Sequence, residues 1–464
     1  MLTAALDDVT KEETKSERKL YKGELTSVAK LVNDFAGSVP IQPIENRLKL
    51  PPSFIVTRFQ PNGYGGYLMH YYHPQTGQRS YREVPLDLEL NVLTGIRGEE
   101  LRTQWNEIRR NKLGELGRRL TCTLGTDPEV FVVDAQGEII PAWTYLPGKD
   151  VPKRFRLNNR DGEAYWDGFQ AEFTTGGNNC LLWVSDSIQA GLKTIHDAAA
   201  TVGGKLTIDT VLPVNPDILQ NEAVEHVQFG CAPSYNAYGL RGNIEDGRNV
   251  PYRFAGGHLH LGITNLTKHP EHREKAIQKY VKALDLVLGV ASVSLLGELD
   301  NPIRRRFYGQ PGEYRMPAHG FEYRTLSNAW LCHPLAMNMV FDLARSVCGL
   351  ADEAMLEPWQ GSEAEAIEII MNNDIAKARE VLDRNKDMFR GICRVITGWH
   401  YTEPQHLDLA FKVWRNGIDS VVANPKDIVG NWNLDGDTKW ILHGDGRGKN
   451  WEKAYDMLAA GQKV

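Results

Sequence analysis

The sequence predicts a mixed α+β protein in which helices cover one face of an antiparallel sheet. Three observations predict this class. Strand-like apolar segments recur between residues 119 and 350, helical stripes of apolar residues lie between them, and the pattern after residue 350 is mainly helical. We therefore expect an N-terminal extension over 1–118, a central domain of strands and helices over 119–350 and a helical region over 351–464.

The composition is that of an ordinary folded protein. Hydrophobic residues make up 42% of the 464 positions and charged residues 24%, which excludes disordered, collagenous and coiled-coil chains. The formal net charge is −6, so no overall basic field attracts nucleic acid or an anionic membrane. We expect no nucleic-acid partner and no membrane partner, and any anion site must be local.

The chain carries no predicted membrane or export segment. The most apolar stretch, 286–296, is shorter than the ~20 residues of a membrane-spanning helix and predicts a buried helix instead. The residues after Met1 lack the basic and long apolar regions of a signal peptide. Six scattered cysteines without a CxxC pair predict buried free thiols rather than disulfides or a cysteine zinc site. A cytoplasmic location is the expectation.

The N-terminal extension contains a predicted β meander. A mobile lead of about 20 charged residues is expected to precede a short helix near 25–35. Segments 54–57, 67–72 and 79–81 are rich in aromatic and β-branched residues and are separated by Gly and Pro, which is typical of antiparallel strands. The aromatic spacing is similar to that of a WW-type peptide-binding module, and a plain structural appendage is the simpler interpretation.

Helices follow from apolar residues at helical spacing. The stretch 99–119 has a mildly basic helical pattern, and after residue 350 amphipathic stripes predict helices over 364–371, 375–396 and 407–422. Asn450 and Gly461 are placed to bracket a last helix. Two further stripes lie inside the central domain, and they consist of Val184, Ile188, Leu192, Ile195 and Ala199, and of Ile277, Tyr280, Leu284, Val287 and Leu288.

Four strand-like segments of the central domain carry polar residues at positions i and i+2. Successive side chains of a strand alternate between faces, so each pair shares one face. One such pair is common on an exposed surface, but four among apolar residues predict a single polar face. Pro128, inside the first pair, removes a ladder donor and predicts an edge strand or a bent start. The pairs are Asp127 and Glu129, Gln170 and Glu172, His258 and His260, and Glu322 and Arg324.

This polar face is suited to a metal and a phosphate group. Carboxylates with one imidazole favour Mg²⁺, which prefers oxygen ligands, over Zn²⁺, which would need more His or Cys. Arg306, Arg315 and Arg324 are separated by Gly and Pro, and guanidinium groups bind phosphate in a bidentate manner. The sequence lacks the GxxxxGK[ST], GxSxG and GxGxxG motifs of other nucleotide-binding and hydrolase sites.

The ordered motifs resemble those of the carboxylate–amine ligases of the glutamine synthetase and glutamate–cysteine ligase superfamily. They are GTDPE at 125–129, DGFQAE at 167–172, GGHLHLG at 256–262, RFYGQPGEYR at 306–315 and GFEYRTL at 320–326. FGCAPSYNA at 229–237 narrows the resemblance to the phage-type COOH–NH2 ligase (amidoligase type 2) group. The resemblance covers about half of the chain, roughly 119–350, and implies that this central domain is the carboxylate–amine ligase catalytic domain.

The resemblance implies a curved antiparallel sheet of the glutamine synthetase type around ATP and two or three Mg²⁺ ions. ATP would phosphorylate a carboxylate, and an amine would attack the acyl phosphate to form an amide. By matching motifs, His260 would contact the ATP phosphates and Asp167 and Gln170 would line the pocket. Arg306 and Arg315 would neutralise the transferred phosphoryl group, and Arg324 would hold the carboxylate substrate or a phosphate. The implied metal ligands are Asp127, Glu129, Glu172, His258 and Glu322.

Two other interpretations remain open from the residues alone. One is a metal-dependent hydrolase that uses His258 and His260, and the other is a non-catalytic binding or assembly module on a decayed ligase fold. The expected partners are small-molecule or peptide carboxylate and amine substrates, with self-association a further expectation. If the protein is encoded by a phage, the expected location is the host cytoplasm.

Overall fold

A computed structural model describes the chain in segments. The described residues are 55–61, 67–72, 76, 79–84, 100–101, 103–105, 108, 122–157, 160–178, 181–227, 234–240, 246–263, 272–352, 356, 358–397, 404–436 and 457–463. The chain forms two compact units, one of residues 1–119 with 386–399 and the other of residues 120–385 with 400–464. The functional boundaries at 119 and 350 stay predictions.

The first unit contains the predicted meander. Strands β1 (Ile55–Pro61), β2 (Tyr67–Tyr72) and β3 (Arg79–Val84) form a three-stranded antiparallel sheet. Phe59 stacks on Trp105 with ring centroids 5.0 Å apart, and both side chains are buried. The meander is therefore confirmed, whereas the lead over the first residues and the helix near 25–35 lie outside the described residues.

The second unit is built on two five-stranded antiparallel sheets and a two-stranded one. The first sheet has the order β11-β14-β15-β13-β4, the second β6-β7-β8-β5-β9, and β10 pairs with β12. The strands are β4 (Cys122–Thr126), β5 (Glu129–Val133), β6 (Lys153–Leu157), β7 (Arg160–Asp167), β8 (Gln170–Thr174), β9 (Lys205–Thr207), β10 (Val211–Pro213), β11 (Tyr235–Asn236), β12 (Tyr252–Phe254), β13 (Leu259–Ile263), β14 (Glu313–Arg315) and β15 (Phe321–Tyr323).

The chain passes from one large sheet to the other at Asp127 and Pro128. The prediction that Asp127 and Glu129 share one face of a strand was wrong, because β4 ends at Thr126 and β5 begins at Glu129 in the other sheet. Pro128 has no N–H group to donate to a ladder, which accounts for the break. The sheets remain adjacent, since Leu124 bridges to Asn178 beyond the end of β8.

The helix Leu181–Ala200 packs against the strands of the second sheet, and the residues of the two predicted stripes at 184–199 and 277–288 are buried. The predicted helix over 375–396 is instead two helices that meet at Asn385, whose side chain bonds to the backbone of Gln360. The helices are α1 (Leu181–Ala200), α2 (Pro216–Asn221), α3 (Val224–Val227), α4 (Arg273–Leu284), α5 (Val290–Leu296), α6 (Pro334–Asp352), α7 (Glu363–Asn372), α8 (Ile375–Arg384), α9 (Lys386–Thr397, in the first unit), α10 (Pro404–Asn416) and α11 (Ile428–Asn431).

The mixed α and β class with antiparallel sheets is confirmed. The apolar stretch 286–296 is buried, as predicted, within a π-helical segment (Asp285–Gly289) and α5. Gly461 has the positive φ of 75° expected for a helix C-terminus. Cys122, Cys332, Cys348 and Cys393 are buried free thiols. Among the described residues, none of the helices is long and apolar enough to cross a bilayer.

Candidate metal and phosphate site

Asp127, His258 and Glu322 meet where three strands of the first sheet lie side by side. Nδ1 of His258 lies 3.3 Å from Oδ1 of Asp127 and 3.3 Å from Oε1 of Glu322. The side chains of His258 and Glu322 are almost completely buried, and that of Asp127 is 13% exposed. Each residue offers a ligand atom within 4.8 Å of the others, so this group can hold a metal ion.

The hydrogen bonds of Tyr308 determine how His258 faces this group. The Tyr308 hydroxyl donates to Oε2 of Glu129 at 2.9 Å, and its oxygen lies 2.8 Å from Nε2 of His258. A hydroxyl has one proton, so the Tyr308 oxygen accepts a hydrogen bond from Nε2–H of His258. Nδ1 then faces the carboxyl groups of Asp127 and Glu322, the position from which a histidine nitrogen can bind a metal ion together with them.

The backbone at Gly256 allows this close arrangement. The Gly256 N–H donates to Oε2 of Glu129 at 2.7 Å. A Cβ atom at Gly256 would overlap the Tyr308 hydroxyl and Nε2 of His258. Thr126 also donates from Oγ1 to the backbone oxygen of His258 at 2.6 Å, which ties the end of β4 to the start of β13. Position 256 therefore needs glycine because a side chain would occupy the site.

A second group consists of Glu129, Asp167 and Glu172, which lie on the second sheet. Glu129 is the register partner of Glu172 on β8, and the three carboxylates also offer ligand atoms within 4.8 Å of one another. The Tyr165 hydroxyl donates to Oε1 of Glu172 at 2.6 Å. The Lys149 ammonium lies 3.4 Å from Oδ1 of Asp167 and donates to Oε2 of Glu172 at 3.4 Å. This is a second candidate cation site, and Glu129 links it to the first through Tyr308.

Burial raises carboxyl pKa values in both groups, and neighbouring charges reverse this effect for Asp127 but not for Glu172. Burial raises the pKa of Asp127, but the charges and hydrogen bonds of His260 and His258 outweigh burial and hold that pKa below its usual value. Burial raises the pKa of Glu129 and places that of Glu172 well above its usual value, where repulsion from Asp127 adds to the effect. Clustered buried carboxylates with raised pKa values are favourable sites for a cation.

Two of the three predicted arginines reach this cluster. The Arg324 guanidinium is completely buried and pairs with Oε1 of Glu322, and Nη1 of Arg315 lies 3.7 Å from Oε2 of the same carboxylate. Arg324 also lies over the Tyr308 ring, 5.4 Å from its centroid. Arg306 is exposed at the end of the 3-10 helix Pro302–Arg306, and no ion pair to the cluster is seen for it within the described residues. The buried arginines of that turn are instead Arg304 and Arg305.

The remaining predicted residues surround the two groups. Nε2 of His260 lies 3.1 Å from Oδ1 of Asp127, and Nδ1 of His260 lies 3.1 Å from Nε2 of His319, which is exposed. Asp167 belongs to the second carboxylate group, beyond the pocket-lining role predicted for it. The Gln170 side-chain amide donates to the backbone oxygen of Phe254, so Gln170 ties β8 to β12 in this structure.

Sequence reasoning missed three polar residues of the site. Tyr308 stands between the predicted arginines, and its position beside Gly309 in that loop was the signal available for it. Tyr165 precedes Asp167 by two positions on β7, so the same i, i+2 rule would have placed it on the site face. Lys149 lies on a loop before β6 with no pattern around it, and only the folded chain brings it to the acids.

The donor set fits hard divalent cations. Five carboxylates and one imidazole make up the two groups, and oxygen-rich sets of this kind suit Mg²⁺, while structural zinc sites favour Cys and His. A bound cation would supply positive charge for phosphate oxygens, and Arg315 offers a guanidinium beside it. The arrangement can therefore bind a polyphosphate and stabilise charge that moves between oxygens.

Comparison with known families supports the motif assignment. Residues 247–403 match the family model described as phage phiEco32-like COOH.NH2 ligase-type 2. This match confirms the resemblance predicted from the sequence, and the family name indicates a ligase that joins a carboxylate and an amine. The match includes His258, Tyr308 and Glu322, whereas Asp127 and Glu172 lie outside it and reach the site only through the fold. No curated protein matches the chain.

Proposed function

We propose that this chain, a relative of the COOH–NH2 ligases over residues 247–403, is an ATP- and Mg²⁺-dependent ligase that forms an amide. In the first step a substrate carboxylate takes the terminal phosphoryl group of ATP, which yields an acyl phosphate and ADP. In the second step an amine attacks the acyl carbon, phosphate leaves, and the amine nitrogen loses one proton. Activation is needed because a carboxylate is a poor electrophile at neutral pH.

The observation that carries the proposal is the convergence of the predicted acids and histidine. Five predicted ligands that are spread along the sequence lie in two adjoining groups, each suited to a divalent cation. They are Asp127, Glu129, Glu172, His258 and Glu322. A hydrolase with a single metal ion would not need two such groups. Phosphoryl transfer needs them more, because charge on the transferred group must be neutralised from several sides.

The proposed function assigns a separate role to each group of site residues. Asp127, His258 and Glu322 would hold one cation, and Glu129, Asp167 and Glu172 another. Arg315, which is 28% exposed, would bind a phosphate oxygen or the substrate carboxylate, and the exposed Arg306 would neutralise the transferred phosphoryl group. Arg324 is buried against Glu322, so we assign it to orienting that carboxylate rather than to direct substrate contact.

No covalent enzyme nucleophile is required by this scheme. Burial raises the pKa of the Cys122 thiol to about 12, so Cys122 is not available as a thiolate. The histidines of the site are tied to carboxylates or to Tyr308. The catalytic contribution of the protein would thus be positioning and charge stabilisation.

The test is product analysis by mass spectrometry after incubation with Mg²⁺, ATP and mixtures of acids and amines. We expect ADP release that requires both an acid and an amine, together with a product lighter by one water than the two substrates combined. Glu129→Gln and Glu322→Gln should abolish ADP release while circular dichroism at room temperature stays native, with a lower melting temperature for Glu322→Gln because Arg324 loses its buried partner. Glu368→Gln, at an exposed surface ion pair, is the matched control and should keep full activity. Full turnover in both site variants would refute the assignment.

A further inference from the structure

We propose that Lys149 is a built-in counter-ion of the Glu129, Asp167 and Glu172 group, and that a divalent cation displaces its ammonium when it binds there. This inference rests on the proposed metal site. The Lys149 ammonium would compete with the divalent cation for the same carboxylates. The affinity of the second cation site would therefore depend partly on a lysine that does not bind the metal.

The position of the ammonium supports this role. Nζ of Lys149 lies 3.4 Å from Oδ1 of Asp167 and 3.4 Å from Oε2 of Glu172, so it bridges two of the three carboxylates. The side chains of Asp167 and Glu172 are only 14% and 8% exposed, and Glu129 is buried as well. Buried acids at this spacing repel one another unless a positive charge is present. The ammonium supplies that charge in the structure.

The lysine can leave without a backbone change. Its side chain is 50% exposed, so water is available to the ammonium once it moves. The loop itself is held, because the backbone N–H of Trp166 donates to the oxygen of Pro147 at 3.0 Å and that of Val151 to Gly148 at 3.1 Å. Only the flexible four-carbon stem of Lys149 has to rotate.

Charge decides which cation occupies the group. A lysine ammonium carries one charge and makes contacts of 3.4 Å, whereas Mg²⁺ or Mn²⁺ carries two charges and binds oxygens directly. The divalent ion therefore displaces the ammonium. Its apparent affinity is lowered, because the attraction between the ammonium and the carboxylates is lost when the ion binds. Removing the ammonium should raise that affinity about tenfold, because the ammonium contacts two carboxylates and two ion pairs near 4 Å, even in a water-like dielectric, exceed the ~1.4 kcal/mol that a tenfold change requires.

The experiment is titration of the full chain with Mn²⁺ alone, with free Mn²⁺ followed by electron paramagnetic resonance. Lys149→Met should bind Mn²⁺ about tenfold more tightly than the wild type at one site, and Lys149→Arg should stay near the wild type. The matched control is Lys377→Met, because Lys377 is 45% exposed and also lies near two carboxylates, Glu368 and Asp374, away from the site. Its Mn²⁺ affinity should equal that of the wild type.

A second measurement follows the ammonium directly. Acylation of lysines by an amine-reactive reagent, read by mass spectrometry, should speed up at Lys149 when Mg²⁺ is added and stay constant at Lys377. The counter-ion role is overturned if Lys149→Met binds Mn²⁺ no more tightly than the wild type, or if Mg²⁺ does not speed up the labelling of Lys149. Either result leaves the proposed metal site intact. If wild type and Glu172→Gln alike show no Mn²⁺ binding, the proposed metal site itself fails.

Discussion

Nε2 of His258 lies 2.8 Å from the hydroxyl oxygen of Tyr308, and this contact orients the ring nitrogen that faces the carboxylates. Because the Tyr308 hydroxyl donates its hydrogen bond to Glu129, the Tyr308 oxygen accepts a hydrogen bond from Nε2–H of His258. Nδ1 is thereby directed at Asp127 and Glu322. The two carboxylate groups are thus coupled through the phenol of Tyr308.

Replacing Tyr308 by Phe should weaken Mn²⁺ binding at the Asp127, His258 and Glu322 group by about tenfold or more, which is typical of a lost hydrogen bond to a metal-bound histidine. The phenyl ring still fills the space beside Arg304 and Arg324, so thermal stability should change little. Mn²⁺ titration and thermal unfolding check both parts. Tyr314→Phe, which removes a hydroxyl bonded to Gln278, is the control. Equal Mn²⁺ affinity in both variants would contradict the orienting role.

Replacing Gly256 by Ala should disrupt the site. The added methyl group would overlap Tyr308 and His258, so one of these side chains must move. We expect a loss of about 1–3 kcal/mol in the free energy of unfolding, together with loss of ligase activity. Gly176→Ala is the control, because a Cβ there meets no atom within 4 Å. Denaturant unfolding measures the difference, and a fully active, fully stable Gly256→Ala protein would show that the site does not need this close approach.

Replacing Arg306 by Ala should separate catalysis from stability. Arg306 is exposed, so the free energy of unfolding should stay within about 0.5 kcal/mol of the wild type. If Arg306 neutralises the transferred phosphoryl group, ADP release should fall about a thousandfold, which is the scale of an arginine in phosphoryl transfer. Normal ADP release would remove Arg306 from the reaction and leave that role to Arg315.

Replacing Arg324 by Met should lower the stability of the folded protein. The Arg324 guanidinium is completely buried, and its removal leaves Glu322 with one strong partner fewer. Breaking a buried ion pair costs about 3–5 kcal/mol, so a large drop in the melting temperature is expected. The double variant Arg324→Met with Glu322→Gln should recover part of this loss, since no charge is then left unpaired. A double variant less stable than the single one would argue against the ion pair as the cause.

The stability of the second unit should decrease as the pH rises from 3.8, the usual pKa of an aspartate, to about 7 because of Asp285. Burial raises the pKa of Asp285 to about 7, against hydrogen bonds from Tyr323 and Thr325 that lower it. A carboxyl group whose pKa is higher in the folded state than in the unfolded state stabilises the folded state most at pH values below its unfolded pKa. This contribution is lost as the pH rises to the folded pKa of about 7. Thermal unfolding of wild type and Asp285→Asn between pH 5 and 8 tests this. The melting temperature of the variant should rise relative to the wild type with pH, and a constant difference would refute the prediction.

Much of the site could be predicted from local sequence. The pairing of His258 with His260 and of Glu322 with Arg324 on common faces follows from the two-residue period of a strand, which needs no knowledge of the fold. Both histidines indeed reach Asp127, and Arg324 does pair with Glu322. The apolar stripes of the helices follow in the same way from the helical period.

The division of the acids into two groups could not be predicted. Asp127 and Glu129 are two positions apart, yet Pro128 places them on different sheets, and each then pairs with residues supplied by that sheet. A strand period predicts the face of a side chain but not the strand that lies beside it.

The sequence by itself determined which residues are polar among apolar neighbours, which elements they lie on and which family they resemble. The tertiary structure alone decided that Tyr308 meets Glu129 across 179 positions of chain and that Lys149 stands between Asp167 and Glu172. The physical reason is that periodicity is a property of a few neighbouring residues. Contacts between distant residues depend instead on strand order and on the packing that burial of the apolar faces selects.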